Sequence, residues 1–523
     1  MHPTSTRAMN LAHFADQAAR RHPDRPAFIW GEKTWDWRDL NARVNAMAVA
    51  LAVDYGVQKG DRILVQSTNC NQMFESMLAC FRVGAVWVPA NFRGMPDDLD
   101  WLAKSSGATG MICHADFPEH AAHCAPRFKF IISIGASDFG DDYDDITARH
   151  LGQIAPLAVM DRDDPCWFFY TSGTTGRPKA SVLTHGQMGF VVTNHLCDLM
   201  PATTELDSTV IVAPLSHGAG MHALLMIARG GATILPKGAR FDAQDIWRLI
   251  ETHKASSLFT VPTILKMLTE HPAVDEFDHS SLRYVIYAGA PMYRVDQIYA
   301  LKKLGPVLVQ YFGLGEVTGN ITVLPPSLHS IESDALNGTC GYARTGIEVQ
   351  IQDGEGRELP AGETGEFCVV GPAVFAGYWD NPKANAECFR NGWFRTGDVG
   401  HMDKQGFFYI TGRESDMYIS GGSNIYPREI EEKILSHPAI TEAAVVGIPD
   451  AKWGEIGIAI CVATDENTPS DAQIRDHLST QIASYKMPKE FHFWDSLPKS
   501  AYGKITKKQV RAAFLEQREK ATT

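Results

Sequence analysis

Short apolar runs rich in β-branched residues recur along the chain, and amphipathic helical stretches separate them. Residues 27–30 and 62–66 read as strands, with helical patterns over 39–55 and 71–83. Further strand candidates lie at 209–213, 232–235, 257–261, 284–287 and 307–311, with helical patterns such as 243–253 and 295–304 between them. Strands apolar almost throughout must be covered on both faces, and intervening helices supply that cover. The pattern therefore calls for an α/β fold with mostly parallel sheets.

The rhythm changes after about residue 340. Turn dipeptides become dense at Asp353-Gly354, Glu355-Gly356, Ala361-Gly362, Asn391-Gly392 and Gln405-Gly406. Such turns between short strands predict antiparallel hairpins and a β-rich lobe. From about residue 427 a compact α+β unit follows, with helices over 427–436 and 471–482 and strands over 440–447 and 456–463. The expected organisation is a large N-terminal domain over 1–412, with mixed and parallel sheets flanked by helices, and a small α+β C-terminal domain over 413–523. A length of 523 residues accommodates several such units.

Charge and cysteine use narrow the function classes. Lys and Arg total 48 against 61 Asp and Glu, a net charge of −13. That balance argues against nucleic acid or an anionic membrane as main partner, since both need clustered cations. It leaves anionic small substrates open, because a local cationic site overrides the global field. The ten cysteines form no CxxC pair, which predicts reduced thiols and a cytoplasmic setting. The N-terminal segment lacks the apolar core of a signal peptide, and the terminal EKATT carries no targeting signal. The most apolar long stretch, 210–235, contains Pro214, His217 and Arg229 and reads as strand, loop, helix and strand rather than a membrane span.

One segment carries recognisable chemistry. Thr171, Ser172, Gly173, Thr174, Thr175, Gly176 and Lys179 follow an apolar strand at 166–169. Glycines let backbone N–H groups converge on an anion, hydroxyls add donors, and Lys179 adds charge. The spacing is not GxxxxGK[ST], so that NTPase mechanism is not supported.

This loop resembles the signature of the adenylate-forming superfamily, which includes acyl-CoA and aryl-CoA synthetases and firefly luciferase. Other motifs follow in the family's order. Phe312-Gly313-Leu314-Gly315-Glu316 is similar to its aromatic-Gly-x-Thr-Glu segment, and Trp393-Phe394-Arg395-Thr396-Gly397-Asp398 to its WxxTGD segment. Gly412-Arg413-Glu414-Ser415-Asp416 resembles the hinge, followed by Ser420-Gly421-Gly422, and Pro498 to Ile505 resembles the final lysine motif.

The resemblance implies an ATP-dependent carboxylic acid–CoA ligase. ATP activates the acid as an acyl-adenylate with release of pyrophosphate, and CoA then displaces AMP. Lys504 matches the lysine that bridges the carboxylate and the α-phosphate. Glu316 matches the glutamate associated with Mg2+, with Thr171 beside it, and His217 matches an aromatic position near the acyl pocket. Asp398 matches the acceptor for the ribose hydroxyls, and Arg413 a ribose or phosphate contact. Gly289, Ala290 and Pro291 resemble the segment flanking adenine, and Phe312 and Gly313 adjoin the base or acyl group. Gly421 and Gly422 would line the pantetheine tunnel after the C-terminal domain rotates. The implied partners are a small-molecule acid, ATP and CoA, with neither nucleic acid nor an integral membrane, and a homodimer is allowed.

Three positions depart from the family pattern. Ala180 replaces a glycine after the loop lysine. Gly315 stands where threonine is usual, which removes a hydroxyl and is expected to widen the acyl pocket. Ser415 occupies the hinge position usually held by Asp or Lys. A carrier-loading adenylation enzyme, a luciferase-type oxygenase and a non-catalytic nucleotide-binding protein are the competing readings. The segment 217–226 holds no Asp or Glu to pair with a substrate amine, and the chain ends 19 residues after Lys504, both favouring CoA. The candidate lining (His217, Met221, Phe259, Pro262, Tyr287, Gly289, Gly313, Gly315) is apolar or small, so a mainly apolar acid is expected.

Overall fold

A computed structural model describes residues 6–171, 177–238, 240–290, 292–464, 468–499 and 505–522. It divides into two compact units. The first comprises residues 1–349 with 369–394, and the second residues 350–368 with 395–523.

The first unit contains the predicted parallel sheet. Strands Pro26–Trp30, Ala232–Leu235, Ser208–Ile211, Ser257–Thr260, Tyr284–Tyr287 and Leu308–Phe312 lie side by side in that order, all parallel. An antiparallel strand borders each end, Lys33–Asp36 beyond Pro26–Trp30 and Thr322–Leu324 beyond Leu308–Phe312. The stretch 210–235 contains helix Gly218–Arg229 between two of these strands, as its composition indicated. Helices Ala243–His253 and Asn71–Val83 fall on the predicted bounds. The second ends because Gly84 takes φ 76°, a left-handed cap that glycine adopts without strain. Trp247, Leu258, Val285, Ala300 and Leu308 form one buried core beneath this sheet.

A second sheet of seven strands was only partly legible. Its order is Lys179–Thr184, Pro165–Thr171, Val86–Pro89, Arg62–Gln66, Gly110–His114, Phe130–Ile134 and Asp141–Asp142. Pro165–Thr171 pairs antiparallel with Lys179–Thr184, and the other neighbours are parallel. The glycine-rich segment therefore joins two strands of a hairpin. Farther on, Phe389–Arg390 pairs antiparallel with Trp393 and Phe394 across the predicted Asn391-Gly392 turn, where φ is 51° and 85°.

The second unit contains the antiparallel pairing of Asp398–Met402 with Phe408–Arg413, then the predicted α+β unit. Strands Ile440–Asp450 and Gly454–Ala463 form a long hairpin, joined in parallel by Glu490–Phe493. One face packs against Ile430, Ile434, Ile474 and Leu478 from helices Pro427–Leu435 and Asp471–Ser479. The other packs against Val510 and Phe514 of helix Lys507–Thr522. Among the described residues no helix is long and apolar enough to cross a membrane.

Candidate active site

Parallel strands deliver side chains to one edge of a sheet, because the loops leaving their C-terminal ends gather there. His217, Gly289, Ala290, Phe312 and Gly313 all lie on or just beyond such ends in the first unit. His217 caps helix Gly218–Arg229, and its Nδ1 lies 3.0 Å from Ser216 Oγ. Gly289 has φ 83° and is exposed with Ala290, so the chain turns sharply off strand Tyr284–Tyr287. Gly313 is held against Gly319: a Cβ there would lie 2.5 Å from Gly319 Cα.

Three predicted residues converge across the two sheets. Thr171 Oγ1 donates to Glu316 Oε1 at 3.0 Å, and Tyr378 Oη donates to the same oxygen at 2.9 Å. Lys179 Nζ sits 4.6 Å from the centre of the Tyr378 ring, a cation–π contact. Glu316 is buried, yet among the described residues its Oε2 accepts no hydrogen bond. A buried carboxylate with one oxygen held by two hydroxyls, and the other not hydrogen-bonded by any described residue, suits a hard cation, which seeks oxygen ligands. The residues therefore fit Mg2+.

Tyr378 has no local sequence signal. It arrives because residues 376–379 pair with strand Lys179–Thr184, through Ala376 N to Val182 O, Val182 N to Gly377 O and Trp379 N to Ala180 O. Tyr170 and Trp101 are further residues that motif reading passed over. Tyr170 Oη lies 2.7 Å from Ser105 Oγ, and Trp101 Nε1 donates to Pro178 O at 3.1 Å while Arg177 covers its ring at 4.6 Å. Both flanks of the glycine-rich loop are thus fastened to helix Pro96–Ser106. Ser172, Gly173, Thr174 and Thr175 lie outside the described residues, as do Pro291 and Lys504.

The acyl-side expectations need two corrections. Gly315 does not widen the pocket, because the Phe169 ring fills the space beside it, 2.7 Å from where a Cβ would stand. Phe169 meets His217 edge to face, ring centres 5.1 Å apart. Tyr287 does not line a pocket: it is fully buried, and its hydroxyl bonds with Gln310, Gln297 and His329. His222 is buried too, stacked on Phe259 at 4.3 Å with 12° between planes. Burial pushes its pKa down to about 3, so it is a neutral imidazole at pH 7.

In the second unit, Asp398 and Arg413 face each other across paired strands. Arg413 Nε and Nη2 donate to Asp398 Oδ1 and Oδ2 at 2.9 and 3.3 Å, a two-point pair. Asp398 is buried, and a carboxylate is an acceptor suited to a pair of hydroxyls. Gly421 and Gly422 form the two-residue turn between Ser420 and Ser423, with φ 56° and 80°. Side chains are disfavoured there by backbone conformation alone. Trp453 O accepts from Gly421 N at 2.9 Å, and Trp453 is 42% exposed. Lys452 and Lys489 place ammonium groups 5.0 and 5.6 Å from that ring.

Comparison with known proteins accords with this arrangement. A family model described as AMP-binding enzyme matches residues 15–379, and one for the AMP-binding enzyme C-terminal domain matches residues 429–504. Feruloyl-CoA synthase of Amycolatopsis sp is 35% identical over 511 residues, covering 97% of this chain and 100% of that protein. Long-chain-fatty-acid–CoA ligase FadD13 of Mycobacterium tuberculosis is 33% identical over 518 residues, covering 97% and 98%. Among solved structures, o-succinylbenzoate CoA synthetase from Bacillus subtilis, in complex with its acyl-adenylate intermediate, superimposes with a TM-score of 0.84 at 30% identity, covering 95% of this chain and 97% of that one. The chain belongs to the AMP-binding enzyme family.

Proposed function

We propose that the protein is an ATP-dependent carboxylic acid–CoA ligase acting on a mainly apolar fatty or aryl acid. A carboxylate oxygen of the acid attacks the α-phosphorus of ATP, and pyrophosphate leaves. The CoA thiolate then attacks the acyl carbonyl, and AMP leaves.

The observation that carries this reading is the meeting of Thr171 and Tyr378 at Glu316, with Lys179 seated against the Tyr378 ring. Adenylation brings an anion against a triphosphate, so cations and donors must stand where charge concentrates. Glu316 with Thr171 would hold Mg2+, which neutralises phosphate charge when bound. Lys179 and the hydroxyls of Thr171, Ser172, Thr174 and Thr175 supply donors to the phosphates. Lys504 is assigned to the bridge between carboxylate and α-phosphate. Asp398 accepts from the ribose hydroxyls, with Arg413 fixing its plane. Gly289, Ala290 and Pro291 border the base, with Phe312 and Gly313 next to it.

For the second step, Gly421 and Gly422 offer bare backbone to the pantetheine arm. An exposed indole flanked by two ammonium groups suits a purine carrying phosphates, so Trp453, Lys452 and Lys489 are assigned to the nucleotide end of CoA. That platform favours CoA over a carrier protein, although a fatty acid–[acyl-carrier-protein] ligase of Streptomyces coeruleorubidus is 32% identical to this chain. Movement of a C-terminal domain about Ser415, with the functional division at 412/413, separates the two steps. A cytoplasmic setting is supported by ten cysteines outside any disulfide, eight of them buried.

The test is AMP release in the presence of ATP and Mg2+ across fatty, benzoic and cinnamic acids. Release that requires both acid and CoA supports the reading. Release with acid and a holo-carrier protein, but not with CoA, overturns it. A strong preference for a dicarboxylic acid contradicts the assigned pocket.

A further inference from the structure

Three residues after Lys504 stands a cation in an unfavourable place. Lys507 opens helix Lys507–Thr522, where the helix dipole is positive and a carboxylate is the favoured residue. Its ammonium is nonetheless fastened. Nζ lies 2.9 Å from Glu431 Oε1 and 3.7 Å from Asp416 Oδ2. Glu431, on helix Pro427–Leu435, also accepts from Val445 N at 2.7 Å. Burial raises its pKa, and the Lys507 charge opposes that shift. Asp416 closes the short turn Glu414–Asp416, directly after Ser415.

The neighbouring backbone is secured as well. Lys499 pairs with Ile505, and Thr506 N donates to Pro498 O at 2.9 Å, closing the base of the segment that carries Lys504. One turn along the helix, Arg511 Nε donates to Gly447 O at 2.7 Å. Backbone pairing alone therefore closes the base of the Lys504 segment. Lys507 adds something different, an ionic tie from that base to Asp416 and Glu431, the turn and helix on either side of the Gly421-Gly422 hairpin.

We propose that Lys507 is a positioning residue for adenylation: its ion pairs with Glu431 and Asp416 fix the base of the Lys504 segment to the turn at Ser415. Lys507 itself touches no substrate. The proposal rests on the ligase reading and on the role given there to Lys504.

The experiment measures both half-reactions in the full-length protein, as acid-dependent ATP–pyrophosphate exchange and as thioester formation from synthetic acyl-adenylate. Lys507→Ala is expected to lower kcat for exchange at least tenfold, with KM for ATP and the thioester half-reaction each within about threefold of wild type. Lys507→Arg, which preserves the charge, should restore exchange to within about threefold, and Asp416→Asn should reproduce part of the loss. Equal loss in both half-reactions, or undiminished exchange in Lys507→Ala, overturns the proposal. Should Lys507→Ala fold poorly, Asp416→Asn and Lys507→Arg decide it: undiminished exchange in the first, or loss in the second equal to that of Lys504→Ala, counts against it. Absence of exchange in wild type with every acid would instead overturn the ligase reading.

Discussion

Gly315 and Phe169 share one space: a Cβ on Gly315 would lie 2.7 Å from two carbons of the Phe169 ring and 2.9 Å from Thr171 Cγ2. Real Cβ atoms do not approach so closely, and neither neighbour is the loose end of a long chain. The ring is also held by its edge-to-face contact with His217 and lies 5.9 Å from the Trp167 ring. The missing threonine is thus coupled to a phenylalanine 146 positions earlier (315 − 169). Gly315→Thr should cost about 1–3 kcal/mol of stability by overpacking and lower kcat/KM at least tenfold. Phe169→Ala in the Gly315→Thr background should recover part of both losses, because residues in contact are not additive. Denaturant midpoints and kcat/KM for the four proteins of the cycle measure this, and strict additivity would show that the two residues are independent.

Glu316 offers a sharper probe of charge. Glutamine keeps its shape and can still accept from Thr171 and Tyr378, so Glu316→Gln should leave the thermal midpoint within about 2 °C. Loss of the carboxylate should lower adenylation by about 10²-fold, the scale seen when a group stabilising transition-state charge is removed, and should raise the Mg2+ concentration needed for half-maximal exchange. A titration of exchange rate against Mg2+ checks both. An unaltered Mg2+ requirement would remove Glu316 from the metal site.

Legibility followed burial and locality. Helices Asn71–Val83 and Ala243–His253 were readable to the residue because apolar periodicity and a left-handed residue, Gly84 or Lys254, mark their ends. The parallel strands of the first sheet were readable because burial on both faces leaves no charged residue in them. Tyr378 was not, since it reaches Glu316 only through pairing with a strand about 200 residues earlier in the chain. Phe169 and Trp453 were equally hidden, because an aromatic within a strand or turn carries no sign of what it faces. The glycines split by cause. Gly422 is required by positive φ, Gly315 by a neighbouring ring and Gly421 by both, its Cβ position lying 2.9 Å from the Trp453 ring, and sequence does not separate these causes.

Four buried histidines in the first unit predict acid lability. Burial lowers the pKa of His185 and His329 to about 4 and of His222 to about 3, and holds His195 well below its ordinary value. In the unfolded chain these groups titrate near 6.5. Between those values the unfolded state binds protons that the folded state refuses, so stability is full above about pH 6.5 and falls as pH drops toward 4. Each group contributes up to about 1.4 kcal/mol per pH unit across its window. Urea midpoints at pH 7, 6 and 5 should fall steadily, and His222→Phe should shallow the slope by one group's share. A flat profile would show that these imidazoles ionise freely in the folded protein.

The two half-reactions should come apart at Lys504 and Ser415. Lys504→Ala removes the group assigned to the bridge between carboxylate and α-phosphate, so pyrophosphate exchange should fall by at least 10²-fold while thioester formation from synthetic acyl-adenylate stays within about threefold. Ser415→Pro should do the reverse. Ser415 is exposed and central in the turn Glu414–Asp416, where the fixed φ of proline near −65° suits the local backbone. Proline also biases the residue before it toward extended conformations, narrowing what Glu414 and position 415 can adopt during a rotation. Adenylate should therefore form and accumulate on the enzyme while CoA-dependent release of AMP slows at least tenfold. A quenched-flow burst of acyl-adenylate, followed by slow thioester formation, is the expected signature. Normal overall turnover in Ser415→Pro would place the pivot at another residue, and equal loss of both steps in Lys504→Ala would deny that lysine its adenylation role.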